Sequence, residues 1–147
     1  MIKVLEFDLT DLKNAHLKEY REKYYPISKR FFWKQKDLFY CEGERKKLTI
    51  RRKNSNFQIT VPINFFSNGR NVPYFLKHKF KQIGVKSETA AYYHDYLYSN
   101  AKMHNMNRKD ADEIFYQIMI KSGVNKLWAW IMYKIVRFSG GNFYRIK

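Results

Sequence analysis

The sequence is short of acidic residues, carries a single cysteine, Cys41, and contains no long apolar run. A lone cysteine excludes an intrachain disulfide and any cysteine-based zinc site. No apolar stretch approaches the roughly 20 residues that a membrane-spanning helix needs. The opening M-I-K-V-L-E-F-D-L-T alternates and brings in charge too early for a secretory signal peptide. A phosphate-cradling glycine loop, a serine nucleophile elbow and a cysteine nucleophile motif are all missing. So are internal repeats and low-complexity segments. These gaps point to a soluble chain folded in a reducing compartment, or to a subunit of a larger particle assembled there.

What is present argues for one folded domain. The chain has 147 residues, 45% hydrophobic and 18% aromatic, which is too apolar for disorder and long enough for a single core. Against 13 Asp and Glu stand 29 Lys and Arg, a net charge of +16. Such a surplus favours polyanions: nucleic acid, an anionic membrane surface or an acidic protein. The bases are spread through the chain rather than gathered in one helix or tail, so a generally basic surface explains them equally well. Arg51, Arg52 and Lys53 are the candidate nucleic-acid or anion contact.

Residues 2–8 alternate as a short strand. Leu12 to Tyr25 is polar and predicts a helix ended by Pro26. Arg30–Trp33 and Leu38–Cys41 predict strands around a Lys-Gln-Lys-Asp turn. Leu48, Ile50 and Arg52, then Phe57, Ile59 and Val61, alternate on either side of a Lys53-Asn54-Ser55-Asn56 turn, the pattern of a β-hairpin. Pro62 ends it, because proline cannot donate to a ladder. A long connection follows, with turn chemistry at Ser67-Asn68-Gly69-Arg70-Asn71. Ser87 then caps a helix to about Asn100, and Asn107 with Asp110 caps a second, which Gly123 stops. Asn125 to Phe138 forms a third, with Leu127, Trp128, Ile131, Ile135 and Phe138 at helical spacing.

The predicted fold is α+β: an N-terminal antiparallel β-sheet of hairpins, then a C-terminal helical hairpin and a third helix. A single domain, 1–147, divides into a β-rich part (1–62), a loop (63–86), a helical part (87–138) and a short tail (139–147).

At about 100° per residue, Ala90, His94, Leu97, Tyr98 and Ala101 share one helical stripe, with Asp95 at its edge. Ala111, Ile114, Phe115, Ile118 and Met119 form the facing stripe, with Asp112 on its flank. Small alanines let the helices approach, and a His94–Asp112 hydrogen bond is the natural contact between them. A carboxylate so placed fixes the imidazole tautomer and lets the other ring nitrogen accept a proton from water. Asp95 beside it suits a hard cation bound through oxygen. The same side chains also make sense as a satisfied polar network that ties two helices together.

The motif H-D-Y-L-Y at 94–98, with A-D-E-I-F at 111–115, resembles the signature of the small calcium-dependent secreted phospholipases, most closely their disulfide-free relatives in parvovirus capsid proteins. The resemblance implies His94 as general base, Asp112 as its orienting carboxylate, Tyr98 as a supporting hydroxyl and Asp95 as a calcium ligand. It places the cation loop at the upstream turn, around Asn68 and Gly69, although that turn has one glycine where the family's loop has several.

A second resemblance covers Leu48 to Gly141. The order I-T-V-P-I-N-F-F-S-N-G-R-N-V-P, A-A-Y-Y-H-D-Y-L-Y, N-R-K-D-A-D-E-I-F, G-V-N-K-L-W-A-W-I-M-Y-K-I-V-R is similar to a tailed-phage family catalogued only as a domain of unknown function. It implies a virion-associated component of tail or connector, found in the phage particle or host cytoplasm, with other phage structural proteins as partners. Three functions therefore stand side by side: that structural role, a calcium-dependent lipid-ester hydrolase acting on host membrane lipid, and a basic DNA-binding accessory protein.

Weaker readings concern the remaining residues. His16, His78 and His104 show no metal-ligand spacing, which disfavours a His-Asp metal phosphohydrolase, and His104 reads as an exposed loop residue. Arg30 to Lys34 interleaves bases and aromatics as a nucleic-acid surface would, but strands with one buried face do the same. Trp128, Trp130, Tyr133, Lys134 and Arg137 suit a membrane interface, though a buried core helix needs fewer assumptions.

Overall fold

The computed structural model describes residues 2–14, 39–41, 45–63, 65, 67 and 77–139. Strand β1 (Ile2–Phe7) turns Ile2 and Val4 inward. Two short strands, β2 (Leu12–Asn14) and β3 (Phe39–Cys41), form a separate antiparallel pair. Strands β4 (Lys46–Arg52) and β5 (Ser55–Val61) follow, and alternation buries Leu48 and Ile50 opposite the face that carries Arg51. The main sheet is antiparallel in the order β1-β4-β5, with Leu48 across from Ile59 and Val4 across from Ile50. A register shift between Val4 and Glu6 bends β1 as a bulge does.

Three helices follow, α1 (Lys77–Ser99), α2 (Arg108–Lys121) and α3 (Lys126–Ser139), with α2 packed on β1 and between α1 and α3. The α+β architecture of sheet first and helices after is thus present. Sheet residues Ile2, Val4, Leu48, Ile50, Ile59 and Val61 share one core with Ala90, Leu97, Ala111, Ile114 and Ile118 of α1 and α2. Gln117 of α2 fastens β1, accepting from Val4 N at 2.7 Å and donating to Ile2 O at 2.8 Å. That side-chain amide satisfies an edge strand's backbone and shields it from further pairing. At the other end of β1, the Tyr93 hydroxyl lies 2.9 Å from Asp8 O and 3.0 Å from Lys47 O. These bonds fix α1 and α2 against the same strands, which is what sets the spacing of the helical hairpin.

Several boundaries differ from the sequence reading. Leu12–Asn14 is strand paired with Phe39–Cys41, not the start of a helix, so tertiary pairing overrides a polar stretch with little pattern of its own. The rest of that predicted helix, to Tyr25, and Arg30–Trp33 lie outside the described residues. The hairpin turn is the two residues Lys53 and Asn54, at φ 49° and 63°, while Ser55 and Asn56 already belong to β5. Both left-handed conformers match the twist of the flanking strands, as a type I′ turn does. Helix α1 begins at Lys77, not at Ser87, so part of the expected loop is helix and the helical region reaches upstream of 87. Gly84 lies inside it; a lone glycine costs a helix about 1 kcal/mol and does not end it. Ser87 is buried within the helix instead of capping it.

The second helix matches its predicted ends. Asn107 caps α2 by accepting from Asp110 N at 2.8 Å. Gly123, at φ 91°, closes it while Val124 N donates to Met119 O and Gly123 N to Ile120 O, the paired bonds of a Schellman motif. Asn125 then starts α3, its side chain accepting from Leu127 N at 2.9 Å.

Helix α3 presents a different stripe from the one expected. Ala129 and Met132 are buried and Val136 packs against the core, whereas Leu127, Trp130 and Phe138 are exposed. The face chosen is the one that lets Tyr133 reach Tyr116 of α2 and Arg137 reach the interior. Small Ala129 is fully buried, and Trp128 of the expected stripe does pack against the core, whereas Leu127 and Phe138 of that stripe lie outside.

Candidate active site

Three residues of the helical hairpin meet in its interior, and two arginines join them. On α1, His94 and Tyr98 are one turn apart, and both are buried. Facing them, Asp112 in the second turn of α2 is completely buried. His94 Nε2 lies 2.8 Å from Asp112 Oδ1, and the Tyr98 hydroxyl donates to the same oxygen. Arg137 reaches in from α3 and donates through Nη1 to Asp112 Oδ2 at 2.9 Å. Arg108, one turn before Asp112, places its Nε 3.9 Å from Oδ2 and 3.5 Å from the Tyr98 hydroxyl. Its other end donates to Val136 O at 2.9 Å and also to Arg137 O. Arg108 therefore satisfies the last carbonyls of α3 and so steadies the helix end that delivers Arg137.

Electrostatics decide the protonation pattern. Burial alone pushes the Asp112 carboxyl up, but hydrogen bonds from His94, Tyr98 and Arg137 together hold it below its ordinary range. Burial, and then the bond to Asp112, push the Tyr98 phenol far above its ordinary value, so it stays a donor. An ionised carboxylate only accepts, which makes Nε2 of His94 the donor in that contact. Neutral His94 therefore carries its proton on Nε2 and a lone pair on Nδ1.

The His94 side chain is 9% exposed, its ring lying between Tyr98 and Phe115 at centroid distances of 4.1 and 4.7 Å. Among the described residues the ring makes one hydrogen bond, through Nε2, and Ser122 Oγ is the one side-chain polar atom both buried and unpaired. Nδ1 is thus the ring nitrogen without a hydrogen bond among the described residues. An imidazole held by a carboxylate on one side, with a lone pair on the other, can take a proton from water.

Asp95 is half-buried next to His94, and its Oδ2 accepts from Ser67 Oγ at 2.5 Å. This bond ties Ser67 to α1. Asn68 and Gly69, the other expected cation ligands, lie outside the described residues. Among the described residues no group of three or more His, Cys, Asp or Glu is placed to hold a metal ion. Asp95 is one described carboxylate, with an oxygen bonded to Ser67, where a calcium ion takes about six to eight oxygens.

The residues of the expected anion contact lie at the end of β4 and in the turn that follows it. Arg51 is exposed and donates to Asn56 at 3.0 Å, while Arg52 points to the opposite face and donates to Asn105 O at 2.7 Å. Arg52 also lies 3.9 Å from Asp110, and Lys53 occupies the turn. Adjacent strand residues face opposite ways, so Arg51 and Arg52 lie on different faces of the sheet. His104 is likewise not a free loop residue: it is half-buried with Nε2 3.1 Å from the Tyr96 hydroxyl. Arg108 and Arg137 are absent from the sequence-based site. The first had a signal, since it sits four residues before Asp112 on one helix; the second is a contact between helices that spacing within either does not encode.

The span that holds this hairpin also carries the family match. The description "Protein of unknown function (DUF1353)" fits residues 45–136, more than half of the chain. The chain belongs to DUF1353. The matched residues run from β4 into α3 and include His94, Asp95, Tyr98, Arg108 and Asp112, leaving Arg137 just outside. No curated protein and no solved structure matches the chain.

Proposed function

We propose that the protein is a phospholipase-like hydrolase that cleaves a lipid ester with His94 as the general base. The observation that carries this reading is the bond from His94 Nε2 to ionised Asp112, with Nδ1 making no hydrogen bond among the described residues. In the reaction, Nδ1 takes a proton from a water molecule whose oxygen bonds to the ester carbonyl carbon. The same proton passes from the imidazolium to the departing alkoxide, so an acid and an alcohol form and His94 returns neutral. Asp112 fixes the ring orientation, and Tyr98 and Arg137 fix Asp112. Because Arg137 and Arg108 also meet Asp112's charge, the aspartate acts mainly by holding the tautomer. Calcium, with Asp95, Asn68 and Gly69 as its ligands, stays part of this proposal through the motif resemblance.

The test is release of fatty acid from phosphatidylglycerol vesicles, with and without added calcium. Wild-type protein should release it, and His94→Ala and His94→Gln should be slower by at least about 100-fold, the usual contribution of a positioned base. Equal rates for wild type and both variants, with all three folded by circular dichroism, would end the hydrolase reading.

We also propose that the protein acts as a component of a phage particle, which is where that chemistry would meet a host membrane. The support is the resemblance of the motif order over Leu48 to Gly141 to a tailed-phage family, and the DUF1353 match covers residues 45–136 of the same stretch. Purified particles should contain the chain at fixed copy number; its absence from them removes this placement without touching the chemistry.

A further inference from the structure

The outward face of α3 is large, apolar and edged by cations. Leu127 is 61% exposed, Trp130 51% and Phe138 94%, and on a helical projection they fall on one side, together with half-buried Ile131 and exposed Lys134. The opposite side, with Ala129, Met132 and Val136, is the one packed on the protein. Exposed Lys126 flanks this face, and Lys134 Nζ lies 5.4 Å from the Trp130 ring centroid. No acidic residue occurs anywhere in the helix. A lone exposed leucine is ordinary, but a phenylalanine, a tryptophan and a leucine along one face of one helix are not.

We propose that this face of α3 docks on an anionic lipid bilayer surface. Each part of the face suits that occupant. Phenylalanine and leucine enter the acyl boundary, tryptophan sits at the headgroup level, and lysines at the edge meet lipid phosphates. A second copy of the chain is disfavoured, because it would set another +16 molecule against the same cations. Nucleic acid would use the lysines but gives Leu127 and Phe138 nothing to pack on. The surface is a convex helix side, so it cannot receive a peptide as a groove does. Docking here would also bring the bilayer beside the hairpin, because Arg137, the neighbour of Phe138, turns inward to Asp112. The proposal rests on the surface of α3 alone and does not depend on hydrolysis by His94.

The experiment is sedimentation of the full chain with vesicles of phosphatidylglycerol and of phosphatidylcholine, with tryptophan emission recorded in parallel. The chain should sediment with phosphatidylglycerol vesicles and shift its emission to the blue, the shift shrinking in Trp130→Phe. The double variant Leu127→Ser/Phe138→Ser keeps every charge and should bind at least about ten-fold more weakly. Phe138→Ser alone, at the most exposed position, should show part of that loss and serves as the variant least able to disturb folding. His94→Ala should bind like wild type, which separates loss of docking from loss of hydrolysis. Double-variant binding equal to wild type means charge alone holds the chain on the vesicle, and the proposal falls. It falls also if wild type stays in the supernatant, or if light scattering finds a dimer that the double variant dissolves.

Discussion

Asp112 gathers the chemistry of the site in one buried carboxylate. It receives His94 and Tyr98 on one oxygen and Arg137 on the other. Asp112→Asn keeps the shape but removes the charge and turns one acceptor into a donor facing other donors. Breaking a buried pair from one side costs about 3–5 kcal/mol, so urea unfolding should show a loss of that order. Arg137→Met should cost less, about 1 kcal/mol, because the arginine side chain is 33% exposed and water replaces part of its bond. The pH dependence has a definite sign. Asp112 titrates below its ordinary 3.8 in the folded protein. Its stabilisation is therefore complete above that pH, begins to fade below it, and disappears as pH falls through the folded value. Thermal melts of wild type and Asp112→Asn from pH 7 to pH 2 should converge at the acid end. Parallel curves would show that the carboxylate is not the group whose protonation matters.

Helices and strands were legible where the signal was local. The caps of α2 are an example: Asn107 and Gly123 announce its ends by chemistry contained within a few residues. The His94–Asp112 contact was legible as well, because 3.6-residue periodicity puts each group on the apolar stripe of its own helix. Leu12–Asn14 was not, since its strand exists by pairing with Phe39–Cys41 far along the chain. The face of α3 was misread for a related reason: several rotations of an aromatic-rich helix look equally apolar, and the choice came from Ala129 and Arg137 meeting α2. Gly123 gives a test at this scale. A Cβ there would meet only Lys86 Cδ at 3.9 Å, ordinary contact, so space is not the obstacle. The φ of 91° is, because L side chains avoid it. Gly123→Ala should therefore cost about 1–2 kcal/mol, while Gly123→Asn should cost less, asparagine being the residue other than glycine most at home there. Equal losses for the two would point to packing rather than backbone conformation.

For the whole molecule the dominant quantity is net charge. At +16 over 147 residues, the folded chain brings many like charges within reach of one another. Self-repulsion of this kind weakens a compact state and is relieved by salt. Raising ionic strength from about 0.01 M to 0.15 M shortens the Debye length from roughly 30 Å to 8 Å. The wild-type melting temperature should rise over that range. The interior pairs around Asp112 respond differently, because buried charges are screened far less than exposed ones. The stability gap between wild type and Asp112→Asn should thus stay nearly constant while both proteins shift upward together. A falling melting temperature with salt would mean that specific surface ion pairs outweigh general repulsion. A gap that closes with salt would mean that water and ions reach Asp112, which its complete burial forbids.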